Sequence, residues 1–165
     1  YDVYEWGLGR NLGHVNQYTQ SIGERVRELH EELDGAPITL IGWSLGGVIA
    51  RETARLFEPY LREVITLGTP IIGGPKYTVT AERFAEESKL DLDEFEKEVH
   101  ARNSIGISQP VTSIYSKLDG VVGWQASIDV YNEHARNIEV YSSHFGIGAH
   151  GKVWRLIADT LASDV

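Results

Sequence analysis

Gly42-Trp43-Ser44-Leu45-Gly46 fits the pattern G-x-S-x-G. The pattern gains meaning from its flanks. Ile38-Thr39-Leu40-Ile41 before it is almost wholly apolar, as in a parallel strand buried on both faces. The segment after it carries Val48, Ile49, Ala50, Ala54, Leu56 and Phe57 as a helix, up to Pro59. A sharp strand-to-helix turn at this point strains the backbone of Ser44 and lifts its hydroxyl out of the sheet. Gly42 and Gly46 are expected to be bare because side chains there would collide across the turn. The helix beginning beneath the serine favours negative charge, and the N–H of Leu45 can bind an oxyanion. A phosphate-binding turn would need G-x-x-x-x-G-K-[ST] or G-x-G-x-x-G, and no Lys follows Gly47. A plain structural turn is the remaining alternative.

A serine alcohol is a poor nucleophile at neutral pH and needs a base. With the serine at such a turn, the partners follow in the order acid, then histidine. Asp119 lies in Ser116-Lys117-Leu118-Asp119-Gly120, just after the apolar strand Val111-Thr112-Ser113-Ile114-Tyr115. His144 lies in Ser142-Ser143-His144-Phe145-Gly146, just after Ile138-Glu139-Val140-Tyr141. Here His144 takes the serine proton and Asp119 orients the imidazole, the chemistry of acyl transfer. His150 and Asp129 are the rivals, one near the start of the last helix, the other well past a strand on what reads as a helix. His14 follows a glycine-rich loop and can face the site. His30 and His100 read as surface residues, and His134 belongs at the opposite end of the sheet.

The elements that must position these groups alternate. Tyr1-Asp2-Val3-Tyr4-Glu5-Trp6 alternates like a strand, and Gly7 to Gly13 is a glycine-rich loop. Tyr18, Ile22, Val26, Leu29 and Leu33 form one helical stripe, stopped by Asp34-Gly35. Val64-Ile65-Thr66-Leu67 is another apolar strand, closed by Gly68-Thr69-Pro70, and the last helix packs through Val153, Leu156, Ile157 and Leu161. Strand and helix in alternation predict an α/β fold with a mostly parallel sheet flanked by helices. One long segment, 71–109, interrupts the rhythm. Ala81 to Lys89 and Leu92 to Arg102 read as two short helices, the second capped by Asp91 with Glu94 completing a capping-box-like pair. With eight acidic and four basic side chains over 81–103, the insertion (75–109) reads either as a solvated helical excursion or as a lid over the site.

Composition bounds the rest. There are 165 residues, no Cys and no Met, and the net charge is −9. The length suits a single domain over 1–165. No Cys means no disulfide, no thiolate metal site and no cysteine nucleophile, and it leaves the compartment open. The acidic balance argues against a nucleic-acid partner. No apolar run reaches the roughly 20 residues of a membrane span.

Several stretches resemble bacterial α/β-hydrolases of the lipase and esterase kind. They are Gly7 to Gly13, Ile41-Gly42-Trp43-Ser44-Leu45-Gly46-Gly47, Thr66-Leu67-Gly68-Thr69-Pro70, Tyr115 to Val122 and Ser143 to Gly148. The likeness runs nearly end to end and is weakest over 75–109. It implies hydrolysis of carboxylic esters, lipid-like or short-chained or thioesters, through an acyl-enzyme on Ser44, with no metal and no organic cofactor. Trp43, Trp124, Phe145 and Leu8 are candidates for the substrate wall, each aromatic being equally a candidate for the core. The resemblance also implies an earlier strand whose loop supplies a second oxyanion donor. No such strand or loop stands between residues 1–6 and 38–41, so Gly7 to Asn11 reads as the loop after the following strand, where Leu8, Arg10 or Asn11 can line the pocket. The expectation is an N-terminally incomplete sheet, completed by a longer chain, by a second chain or by direct pairing of 1–6 with 38–41. An acyl-ligand-binding module without turnover, or an acyltransferase with the same triad, stand beside the hydrolase.

Overall fold

In the computed structural model, residues 1–163 are described. Four strands, β1 (Ile38–Trp43), β2 (Leu61–Leu67), β3 (Val111–Tyr115) and β4 (Arg136–Glu139), form one parallel sheet in that spatial order. The helices are α1 (Val15–Glu32), α2 (Leu45–Leu56), α3 (Ala81–Ser88), α4 (Leu92–Asn103), α5 (His144–Ile147) and α6 (Gly151–Ala162).

Alternate residues of a strand face opposite sides, and the two cores follow from that. On one face, Val26 of α1 and Ala50 and Ala54 of α2 pack with Leu61 and Val64 of β2. On the other, Ile65 and Leu67 of β2 and Ile114 of β3 meet Val153 and Ile157 of α6. The sheet is therefore covered on both sides. α1 ends as its sequence requires, with Asp34 and Gly35 both at positive φ (54° and 85°).

Two expected strands differ from the structure. Tyr1–Trp6 forms none, because alternation supplies a period but not a partner. Tyr1 and Val3 are exposed, and Trp6 packs instead on the Tyr18 ring at 5.1 Å. Direct pairing of 1–6 with 38–41 is thus absent. The outer side of β1 carries no strand among the described residues, and Ile41 and Trp43, in register with Ile65 and Leu67, are exposed on the sheet face that carries α6. The last strand lies at 136–139 rather than 138–141. Its first residues, Arg136 and Asn137, are exposed and polar, so apolar pattern does not mark them, yet they pair with Thr112 and Ser113.

The long excursion between β2 and β3 holds α3 and α4 as the sequence predicts. Asp91 caps α4, its carboxylate accepting from the N–H groups of Asp93 (2.8 Å) and Glu94 (3.1 Å). Glu94 does not close the capping box; its side chain pairs with Lys97 at 2.7 Å. The base of the insertion is stitched to the segment after β3. Val79 N–H donates to Val121 O (2.9 Å), Gly123 N–H donates to Tyr77 O (2.8 Å), and Thr78 pairs with Val122 in an antiparallel bridge.

Buried polar groups tie these layers together. Thr66 Oγ1 donates to Ser113 Oγ (3.1 Å), which donates to Ser127 O (2.6 Å). Arg51 of α2 and Asp129 form a fully buried ion pair at 2.6 Å. Asp129 also accepts from the N–H groups of Tyr131 (2.9 Å) and Asn132 (3.2 Å). It sits beyond the short 3-10 turn Trp124–Ser127, not on a helix. Removing one partner of a buried pair leaves the other charge without compensation. Asp129→Ala is accordingly expected to lower stability by about 3–5 kcal/mol in urea denaturation. Glu63 gives a pH-dependent counterpart. It is 2% exposed, and burial pushes its carboxyl above the usual range, against the pull of Arg62, the Thr39 hydroxyl and Arg136. A raised folded pKa contributes stability at low pH that is lost as pH rises through it. Glu63→Gln is therefore expected to match the parent in thermal melting below the ordinary carboxylate range, and to melt progressively higher than the parent as pH approaches neutrality.

Candidate active site

β1 ends at Trp43, and α2 begins at Leu45. Ser44 is the single residue between them, at φ 54° and ψ −124°. That region is strained for any residue with a Cβ. The strain is held by tight contacts on both sides. Ser44 N–H donates to Leu67 O of β2 (2.8 Å), and its carbonyl accepts from Gly47 N–H (3.0 Å). A Cβ on Gly42 would lie 2.4 Å from Gly46 O. A Cβ on Gly47 would lie 2.0 Å from Thr69 Oγ1. A Cβ on Gly46 would meet nothing within 4 Å. The bare positions the turn demands are thus Gly42 and Gly47, and the expected need for glycine at 46 is not there. Leu45 opens α2, where a backbone N–H has no partner within the helix.

Asp119 and His144 come together as the sequence predicts. Asp119 Oδ2 lies 2.7 Å from His144 Nδ1, with the two side chains 2% and 4% exposed. Asp119 Oδ1 accepts from Val121 N–H (2.8 Å) and Val122 N–H (2.9 Å), which fixes the carboxylate's plane. A carboxylate only accepts, so in the neutral ring Nδ1 carries the proton and Nε2 presents a lone pair. Gly68, at φ 52° just past β2, lies against the pair: a Cβ there would stand 3.0 Å from Asp119 Oδ2 and 3.3 Å from His144 Nδ1. Since Gly68 follows the residue that holds Ser44 N–H, the serine, the acid and the base share the carboxyl edge of the sheet. Among the described residues no hydrogen bond joins the Ser44 hydroxyl to His144; such bonds commonly tighten only with substrate present.

Trp43 connects the two arms. Its Nε1–H donates to His144 O (3.1 Å), and its ring lies 5.4 Å from the imidazole and 5.9 Å from Phe145. Phe145 is 73% exposed and meets His144 edge-on. These two aromatics therefore border the base. Trp124 does not: its ring stacks on Tyr115 at 6.0 Å, under the Lys117 ammonium. Leu8 lies in a loop tied to α1, where Tyr18 OH accepts from Leu12 N–H (3.1 Å) and donates to Arg10 O (3.4 Å). No hydrogen bond among the described residues links that loop, including Arg10 and Asn11, to the Ser44 turn.

The rival groups have other partners. His150 caps α6, its Nδ1 accepting from Lys152 N–H (3.2 Å). His30 Nδ1 bonds Ala36 O (2.9 Å), and His100 Nδ1 bonds Tyr131 OH (3.2 Å). His14 stands at the start of α1 with its ring 6.2 Å from Tyr18, and His134 is exposed before β4. An open cleft of about 500 Å³ lies beside α4, with Lys76, Asp93, Glu96 and His100 in its wall, and Ser44, Asp119 and His144 are not part of it. Lys76 is already paired with Asp93 (2.6 Å) and Glu96. Among the described residues no group of three or more His, Asp or Glu is placed to hold a metal ion, and no helix is long and apolar enough to cross a membrane.

Sequence reading missed Gly68, Gly47 and Ser116. Ser116 Oγ, buried, accepts from Leu118 N–H and Ser142 N–H, both at 3.1 Å. The signal for Gly68 was its place directly after an apolar strand, like Asp119 and His144.

No protein-family model matches the chain. Solved structures do resemble it. A lipase-esterase related protein from Clostridium acetobutylicum superposes with a TM-score of 0.60 at 20% identity, covering 91% of this chain and 77% of that one. An alpha-beta serine hydrolase homologue from Coxiella burnetii gives 0.65 at 15% identity, covering 94% of this chain and 65% of that one. An esterase from Exiguobacterium antarcticum gives 0.61 at 14% identity, covering 88% and 74%. Identities this low speak for architecture alone, and with the parallel sheet and its flanking helices they establish that the chain has the α/β-hydrolase fold.

Proposed function

We propose that the chain is a serine hydrolase acting on carboxylic esters, short-chained or lipid-like, through an acyl-enzyme on Ser44. The observation that carries the reading is the 2.7 Å Asp119–His144 bond, at the same sheet edge as a serine held at φ 54° on the N-terminus of a helix. In the proposed reaction His144 Nε2 takes the Ser44 hydroxyl proton as Oγ bonds to the ester carbonyl carbon. The oxyanion that forms points at the Leu45 N–H. Collapse breaks the bond to the leaving alkoxide, which takes the proton from His144 and departs as the alcohol. Water, deprotonated by the same imidazole, then releases the acid and restores Ser44. Asp119 keeps the imidazole in the required tautomer and stabilises the imidazolium. No step calls on a metal or an organic cofactor. We further propose that Trp43 and Phe145 border the acyl site and that the insertion 75–109 acts as its lid, a reading supported by the bridge between Thr78 and Val122 beside the acid's loop.

Ser44→Ala is expected to lower turnover of p-nitrophenyl acetate by at least about 10³-fold with the circular dichroism spectrum unchanged. A fluorophosphonate is expected to label the parent at Ser44 and not the variant. Undiminished turnover in the variant would overturn the proposal, and labelling without turnover in the parent would assign acyl-ligand binding instead. Trp43→Phe keeps an aromatic ring, smaller than the indole, and removes the bond to His144 O. Its kcat on the same ester is expected to fall about fivefold, the worth of one ordinary hydrogen bond, with KM little changed.

A further inference from the structure

The ladder between β3 and β4 does not stop where the strands do. Thr112 to Tyr115 pair with Arg136 to Glu139, and Val140 N–H then donates to Tyr115 O (2.8 Å). In a parallel ladder the next donor, two residues on, is Ser142 N–H, and its acceptor would be the carbonyl of residue 117. Ser142 N–H makes no hydrogen bond to that carbonyl, since β3 ends at Tyr115 and the chain turns at Ser116 into the loop that carries Asp119. The Ser116 hydroxyl takes its place, accepting from Ser142 N–H at 3.1 Å. The same oxygen accepts from Leu118 N–H at 3.1 Å, and Ser116 O accepts from Asp119 N–H at 3.1 Å. Ser116 is 1% exposed and Ser142 8%, so water does not replace these bonds. One oxygen thus fixes the start of both arms that end in the Asp119–His144 contact, three residues ahead of the acid and, through Ser142, two residues ahead of the base.

We propose that Ser116 is a positioning residue for the Asp119–His144 pair, setting the geometry in which the acid holds the imidazole. The proposal rests on the reading of Ser44, Asp119 and His144 as a catalytic triad, but its consequence for the pair is measurable in the free protein. Two variants test it. Ser116→Ala removes the acceptor. Ser116→Cys keeps the shape and offers only a weak sulfur acceptor. With p-nitrophenyl acetate, kcat is expected to fall roughly tenfold or more in Ser116→Ala, less in Ser116→Cys, with KM within about twofold in both, as for a misplaced reacting group. The proton NMR resonance of the His144 ring N–H held against Asp119 is expected far downfield in the parent, shifted in Ser116→Cys and lost to solvent exchange in Ser116→Ala. If Ser116→Ala does not fold, the cysteine variant against the parent carries the comparison. A lowered melting temperature with the resonance and kcat both at parental values would overturn the proposal and leave Ser116 a structural bond. If the parent itself turns over no ester, the triad reading fails, while the resonance still decides whether Ser116 sets the pair.

Discussion

The carboxyl edge of this sheet is organised around the close approach of β1, α2 and the β2 exit at Ser44. A residue at φ 54° and ψ −124° is unstable in isolation, and it persists here because its neighbours leave it no alternative. Gly42 lets the α2 start lie against β1, and Gly47 lets Thr69 lie against α2. Leu67 O then captures Ser44 N–H, which sets the serine one residue from the bare surface of Gly68, against which Asp119 and His144 close. Each contact depends on the absence of a side chain at one position. A methyl group at 42 or 47 would separate layers whose spacing decides where Ser44, Asp119 and His144 meet.

The buried polar groups have a related task. The loops after β3 and β4 bury some apolar residues, Val122, Ala126 and Val140 among them, and specific bonds fix their course. The Thr66–Ser113–Ser127 chain anchors the 3-10 turn, and Arg51 anchors the Asp129 loop from α2. Such groups must be satisfied once water is excluded, so they admit few alternative arrangements. Trp43 adds a cross-brace, joining the residue before the serine to the backbone of the base. The carboxyl edge of the sheet is therefore positioned by directional bonds, while the two apolar cores on either face supply the bulk of the burial.

What could be read in advance followed from local constraint. G-x-S-x-G between an apolar strand and an amphipathic helix demands a strained turn, and Asp119 and His144 were visible because each follows an apolar run by a few residues. Asp91 was legible as a cap because capping is a local event. What escaped was set by contact across the sheet. The place of Gly68 after an apolar strand puts it at the same edge but does not say that Asp119 and His144 will lie against it, and Ser116 resembles any serine in a turn until the segment after β4 supplies Ser142 N–H. Tyr1–Trp6 misled for the converse reason: its alternation is local, whereas a strand exists only beside another. Glu94 had the right spacing for a capping box, and Lys97 one turn away took its carboxylate instead.

The bridge of Thr78 to Val122 carries a consequence for how such a protein can diversify. An excursion on a sheet is commonly the part of a fold most freely exchanged, since it can be replaced without touching the layers beneath. Here the insertion shares backbone hydrogen bonds with residues 121–123, and the N–H groups of Val121 and Val122 are those that orient Asp119. The excursion and the acid's loop are in effect one module. Grafting a different excursion onto this scaffold would require carrying residues 116–123 with it, so the most exchangeable part of the fold and the loop that carries Asp119 are inherited together.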